Sequence, residues 1–223
     1  MTRSPRIAVL NHTAANIHSV AKALERCGAD AIVTTDPSEL KASDGVVLPG
    51  VGAFDIAMRA LDKLSLIEPI KDYVESGRPL LGICLGMQLL FDNSDEGNLP
   101  GLGLLRGNVT RMSTYNGDLK IPHMGWNLVN FTEPPSARHQ IFEQVPQSSY
   151  FYFVHSFACK PLEPRDVIAT THHGETICAA VARGPIVATQ FHPEKSQTIG
   201  LQIYRNFVKY VGRQINFAAH RTS

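Results

Sequence analysis

The sequence has almost no excess of either charge: 21 Lys and Arg stand against 20 Asp and Glu, a formal net charge of +1. A chain so balanced, with no basic run, offers no electrostatic footprint for nucleic acid. No apolar run reaches membrane-spanning length. The stretch "IAVL" behind Arg3 and Arg6 is far too short for the apolar region of a signal peptide. The expectation is a cytoplasmic protein that meets neither nucleic acid nor membrane. Cysteine is sparse too. Cys27, Cys84, Cys159 and Cys178 include no C-x-x-C pair, and a disulfide framework is not expected in such a compartment. Zinc finds no clustered Cys/His ligand set. His172 and His173 in "THHG" are adjacent, would point to opposite faces of a strand, and read with Gly174 and Glu175 as a hairpin turn. Neither metal nor cofactor is expected.

What is present fits an ordinary globular chain: 223 residues, 43% hydrophobic and 18% charged, enough for one well-buried core. No repeat, low-complexity tract or linker divides it, so residues 1–223 read as a single domain. "RIAVL" (6–10), "AIVTT" (31–35), "DGVVLPG" (44–50) and "PLLGI" (79–83) read as short apolar strands. Helical patterns separate them: "IHSVAKALERCG", closed by Gly28, and a stretch in which Ile56, Ala60, Leu61 and Leu64 recur at helical spacing. This alternation predicts an α/β fold with a parallel sheet covered on both faces. After about residue 104, "LLRGNVTRM" and "LKIPHMGWNLVNF" flank an Asn-Gly turn at 115–118 that suggests a hairpin. "YFYFVHSF", "DVIATTHH", "TICAAVA" and "PIVATQF" follow as closely spaced strands, an antiparallel extension. "IGLQIYRNFVKYVGR" then forms a helix that packs back onto the sheet.

Three stretches carry chemistry. "GICLG" (82–86) has the G-x-Nuc-x-G form of a sharp strand-to-helix turn. A side chain at Gly82 or Gly86 is expected to collide with adjacent backbone, and a thiol at a helix start faces unpaired N–H groups that favour the thiolate. Alone, the pentapeptide does not separate a nucleophile from a buried core thiol. "TQFHPEKS" (189–196) follows an apolar strand and supplies a base, His192, with a carboxylate two residues on, Glu194, to orient it. Its bland alternative is a surface histidine beside a helix-starting Pro-Glu. "LPGVGAF" (48–54) is a glycine-rich strand end whose amides can face a ligand, half an oxyanion hole with Leu85 N–H as the other half.

"PGVGAF", "GICLGMQ" and "QFHPEKS", in this order, resemble the class I glutamine amidotransferases with a Cys-His-Glu triad. The resemblance implies a flavodoxin-like mixed, mostly parallel open sheet with helices on both faces and an antiparallel C-terminal extension. It implies that Cys84 attacks the side-chain amide of L-glutamine, giving a glutamyl thioester and ammonia, with His192 as base and Glu194 orienting it. Gly52 and Leu85 then match the oxyanion hole, and Gln88, Glu96, Ser156 and Phe157 the glutamine-binding positions.

"IPHMGWN" (121–127) and "YFVHSF" (152–157) are similar to the glutaminase subunits of imidazole glycerol phosphate synthases. That likeness implies a heterodimer with a (β/α)8-barrel cyclase that uses the ammonia to make imidazole glycerol phosphate and 5-aminoimidazole-4-carboxamide ribonucleotide. It puts Met124, Trp126 and Lys195 at the partner interface and Asn16 in coupling to it. His123 and His155 read as structural histidines rather than bases. Asn11–Asn16, "NHTAAN", departs from the family's pattern, with Thr13 and Ala15 where glycines are usual. Phe157 stands where Tyr is frequent. The competing readings are an amidotransferase of another pathway, a catalytically silent scaffold subunit, and a free-standing cysteine hydrolase.

Overall fold

The structure is a computed structural model that describes residues 3–12, 16–113, 119–132 and 138–221. The Asn-Gly turn at 115–118 and residues Thr13 and Ala15 of the altered loop lie outside these. The elements in chain order are β1 (Arg6–Leu10), α1 (Ile17–Arg26), β2 (Asp30–Thr34), α2 (Pro37–Ala42), β3 (Gly45–Gly50), α3 (Phe54–Lys63), α4 (Ile67–Glu75), β4 (Leu80–Cys84) and α5 (Leu85–Gln88). Then follow β5 (Asn93–Ser94), β6 (Gly107–Arg111), β7 (His123–Phe131), β8 (Ser149–His155), β9 (Phe157–Pro161), β10 (Val167–His173), β11 (Glu175–Arg183), β12 (Ile186–Thr189) and α6 (Gln197–Arg221).

A large sheet runs β2-β1-β3-β4-β12-β11-β10-β7-β8. Its first five strands pair in parallel. The pairings from β12 through β8 are antiparallel. Because successive side chains on a strand point to opposite faces, each parallel strand feeds two cores. Ile7, Val9, Val47, Leu81 and Ile83 pack with α1 and α6, while Ala8, Leu10, Val46, Leu48 and Leu80 pack with α3 and α4. This is the predicted α/β architecture, with helices on both faces and an antiparallel extension.

Three local expectations are corrected. The buried stripe of α3 is Phe54, Ala57, Met58 and Leu61, the i, i+3, i+4, i+7 series counted from Phe54, and Ile56 is 67% exposed. The helix α2 has no counterpart in the strand reading. Its start signal is present, with Asp36 Oδ1 accepting from Ser38 N at 2.8 Å and Pro37 at the first helical position, but six residues are too few for periodicity to show. Finally, β6 and β7 do not form a hairpin. β6 joins β5 and β9 in a separate three-stranded sheet. The reason lies in burial: Val109 of β6 packs in the core shared with α3 and α4, whereas Val129 and Phe131 of β7 pack in the other. The hairpin turn at Gly174, φ +72°, forms between β10 and β11 as expected.

The glycines of the turn after β4 differ in strictness. A Cβ on Gly86 would lie 1.8 Å from the backbone oxygen of Leu48, whereas one on Gly82 meets nothing nearer than 3.0 Å. Gly86→Ala is therefore expected to cost about 2–3 kcal/mol and Gly82→Ala less than about 1.5 kcal/mol. Urea midpoints at unchanged slope check the ranking, and equal midpoints for the two variants would contradict it.

Candidate active site

Cys84 closes β4 and caps α5 with φ +54° and ψ −109°. A non-glycine residue at positive φ costs on the order of 1–3 kcal/mol and persists only where the surroundings impose it. Here the parallel neighbours impose it. Gly50 of β3 is opposite Cys84, and Thr189 of β12 is opposite Ile83. The bend sets the thiol at the start of a helix whose first amide, Leu85 N–H, has no intrahelical acceptor.

The β12 register carries Gln190 and His192 past the strand end beside Cys84. Gln190 Nε2 lies 3.7 Å from Cys84 Sγ. His192 Nδ1 and Glu194 Oε1 are 2.7 Å apart, with side chains only 2% and 5% exposed. Sequence spacing alone puts these two residues on one extended face. In the structure His192 is extended, but Pro193–Lys195 forms a 3₁₀ turn, and the ring meets the carboxylate across it. The segment is fastened to β8: His192 N donates to Tyr152 O (2.9 Å), Ser196 Oγ to His192 O (2.7 Å), and Tyr152 N to Ser196 Oγ (3.0 Å). Tyr204 OH donates to Glu194 Oε2 at 3.4 Å. His192 Nε2 is buried without a hydrogen-bond partner.

In front of Cys84 lies a cavity of about 420 Å³, within the usual range for small-molecule sites. Gly52, Cys84, Leu85, Gln88, Glu96, Ser156, Phe157 and Lys195 all line it. Gly52 has φ +97°, a conformation that favours glycine. Glu96 is held by Phe54 N–H at the start of α3, 2.8 Å from Oε2. Gln88 donates both amide hydrogens within the protein, to Phe157 O and to Gln190 Oε1, each at 3.1 Å, which leaves its own oxygen to offer a ligand. His192 and Glu194 lie behind Cys84 and are not part of the wall, and neither are Asn16, Met124 and Trp126. Asn16 sits at the start of α1, where its side chain accepts from Ser19 Oγ at 2.8 Å. Met124 (62% exposed) and Trp126 (47%) lie on β7, outside the cavity. His155, Val154 and Pro122 also line the wall, and none is among the site residues read from sequence. Gln190 lies inside a motif already singled out, but nothing in its spacing distinguishes it from a core residue.

The site's electrostatics favour a charged base. Burial by itself lowers the pKa of His192, but the charges of Cys84 and Glu194 outweigh it and raise the value to about 10. A histidine held charged beside a cysteine is an arrangement that can activate a thiol as a nucleophile. The raised pKa also contributes stability that is fully present below the free value near 6.5 and is lost as pH rises toward 10. Glu194→Gln removes one of the two charges holding that proton. His192 is then expected to titrate at lower pH by ¹⁵N NMR, and Cys84 alkylation by iodoacetamide at neutral pH to slow by roughly tenfold. An unchanged titration would show that Glu194 does not hold the proton on His192.

Among the described residues no three His, Cys, Asp or Glu side chains form a group that could hold a metal ion. Among the same residues no helix is long and apolar enough to cross a membrane. The glutamine amidotransferase class-I family model matches residues 8–211. The chain is 48% identical over 214 residues to the imidazole glycerol phosphate synthase subunit HisH of a Synechococcus strain, covering 96% of this chain and 97% of that one. It is 48% identical over 212 residues to the HisH subunit of Nostoc punctiforme, covering 95% and 99%. Solved structures share the fold at low identity. PurLQS from Thermotoga maritima superimposes with a TM-score of 0.70 at 19% identity over 93% of this chain and 99% of that one. A chain described as glutamine amidotransferase gives 0.71 at 20% identity over 92% and 98%. By its matched length, its fold and its relatives, this chain belongs to the class I glutamine amidotransferases.

Proposed function

We propose that this chain is the glutaminase subunit of an imidazole glycerol phosphate synthase, a single cytoplasmic amidotransferase domain spanning residues 1–223. The observation that carries the reading is the buried His192–Glu194 pair held charged by Cys84, which itself lines a cavity sized for an amino acid, in a chain 48% identical to HisH subunits over nearly its whole length. Cys84 Sγ adds to the side-chain carbonyl carbon of L-glutamine. The oxyanion so formed is met by the amides of Leu85 and Gly52. His192 passes its proton to the nitrogen, the C–N bond breaks, and ammonia leaves a glutamyl thioester. His192, now neutral, takes a proton from water as it attacks the thioester. Glutamate leaves and the thiolate–imidazolium pair returns. Glu194 orients the ring throughout. Gln88, Glu96 and the backbone of Ser156 and Phe157 bind the glutamine, which requires no cofactor.

The partner is a (β/α)8-barrel cyclase in a heterodimer. β7 and β8 pair with Met124 opposite Val154, Trp126 opposite Tyr152 and Leu128 opposite Tyr150. These alternating residues share the face of the sheet's edge that bears Met124, Trp126 and Tyr150, all largely exposed. Lys195 stands 5.6 Å over the Tyr152 ring and also lines the cavity. An apolar, aromatic patch continuous with a site mouth is what a docked partner covers. Asn16 and the loop bearing Val51 and Gly52 are the coupling elements on this reading, because one misplaced oxyanion donor costs about 10²–10³ in rate.

Glutamine hydrolysis is therefore expected to be slow in the isolated subunit and faster once the cyclase carries its nucleotide. A subunit as active alone as in the complex would point to a free-standing hydrolase. Cys84→Ala is expected to abolish glutamine-dependent turnover of the complex while ammonium-dependent turnover survives, and loss of both would overturn the division of labour. Trp126→Ala should weaken the heterodimer by more than about 1 kcal/mol in a titration, as central interface aromatics do.

A further inference from the structure

Two runs of hydrogen bonds meet at the carbonyl of Phe157, one from β7 and one that leads to the sulfur of Cys84, and their directions are fixed by chemistry. The first begins at Asn127. Its Oδ1 accepts from Leu128 N (2.7 Å) and its Nδ2 donates to His172 O (2.9 Å), so the amide has one possible orientation. The second Nδ2 hydrogen points at His123 Nε2, 2.9 Å away, which must therefore accept. His123 Nδ1 then carries the proton and donates to His155 Nε2 at 2.9 Å. His155 Nδ1 in turn carries its proton and donates to Phe157 O at 2.9 Å. At the same carbonyl the second run starts. Phe157 O also accepts from Gln88 Nε2, which fixes the Gln88 amide; the other Gln88 hydrogen goes to Gln190 Oε1. Gln190 Nε2 is thereby left facing Cys84 Sγ at 3.7 Å.

We propose that Gln190 is a further catalytic residue, a neutral donor that holds the Cys84 thiolate, and that Gln88 is the positioning residue that keeps its N–H turned to the sulfur. The proposal rests on the reading of Cys84 as nucleophile. An amide free to rotate would present its oxygen to a thiolate half the time and repel it. The Phe157 carbonyl removes that freedom, because it can only accept and so Gln88 must turn Nε2 rather than Oε1 toward it. Gln190 is fully buried, so water does not compete for either end of its amide. Both histidines are suited to one donor and one acceptor each. Burial lowers His123 to about 3, and burial likewise lowers His155 to about 4, with His173 nearby opposing a second proton on either ring. Stacking fixes the His123 ring between Phe153 and His173, with centroids 4.7 Å and 4.4 Å away.

Two variants and one measurement on the unaltered protein test this. Gln190→Leu removes the donor, and Gln190→Glu keeps the shape and the acceptor for Gln88 but turns a carboxylate to the sulfur. Iodoacetamide alkylation of Cys84, which needs neither glutamine nor partner, is expected to slow roughly 3–10-fold in Gln190→Leu, the range one hydrogen bond carries, and further in Gln190→Glu. Its pH profile should move to higher pH in both. Either variant, folded by circular dichroism and alkylated with the wild-type rate and profile, overturns the proposal. Should both fail to fold, the wild-type protein decides: the ¹⁵N NMR signal of the Gln190 side-chain amide is expected to shift when Cys84 is alkylated or titrated, and a signal unmoved by either overturns it. Failure of the nucleophile reading itself is seen separately, as glutaminase activity retained in Cys84→Ala.

Discussion

The site depends on one strand pairing. β12, although it follows the antiparallel strands in sequence, inserts beside β4 and runs parallel to it, with Thr189 opposite Ile83. That register sets the segment bearing Gln190, His192 and Glu194 against a cysteine more than a hundred residues earlier. A slip of one residue would exchange the faces of every side chain on β12 and turn Gln190 and His192 away from Cys84. The register is pinned by burial on both sides, because Val187 and Ala188 each pack in a different one of the two cores. The site is thus as strongly specified as the core itself.

Around this pairing the fold holds histidines in opposite states. His192 and His155 are both buried, which for either one disfavours the charged form. His192 overcomes that cost with Glu194 on one ring nitrogen and the Cys84 charge near the other. His155 has a neutral ring nitrogen and a backbone carbonyl as partners, and stays uncharged. The same residue type is thus held once charged and once neutral, and the neighbours alone decide which.

The two strands β7 and β8 also serve both of their faces. Met124 and Trp126 lie on the outward face, while His123 and Asn127, at the alternate positions, belong to the inner network. A partner that covers the first face therefore rests on the same backbone that anchors the second. The period of two along a strand makes this economy possible without any additional element. On this reading, docking and the placement of Cys84 share one rigid support.

The motifs were legible in the sequence because each is local: a glycine-flanked cysteine after an apolar strand, a His-Pro-Glu after another, a glycine-rich strand end. So were the α/β alternation and the turn at Gly174, which rest on near-neighbour periodicity and turn chemistry. The inward face of α3 is not legible in the sequence, because Ile56 is apolar yet points to solvent, and only packing against the sheet makes Phe54 the start of the stripe. The separation of β6 from β7 was equally hidden, since adjacent strands in sequence need not share a core. Gln190 carried no local signal at all; its meaning arises from the Cys84 thiol at the end of β4, the Gln88 amide of α5 and the Phe157 carbonyl of β9 meeting just past β12. The sequence by itself determined which residues are able to do the chemistry, because reactivity belongs to side-chain types and short spacings. Only the tertiary structure decided which nitrogen faces the sulfur and which histidine holds a charge, because hydrogen-bond direction and desolvation are set by neighbours distant in the chain.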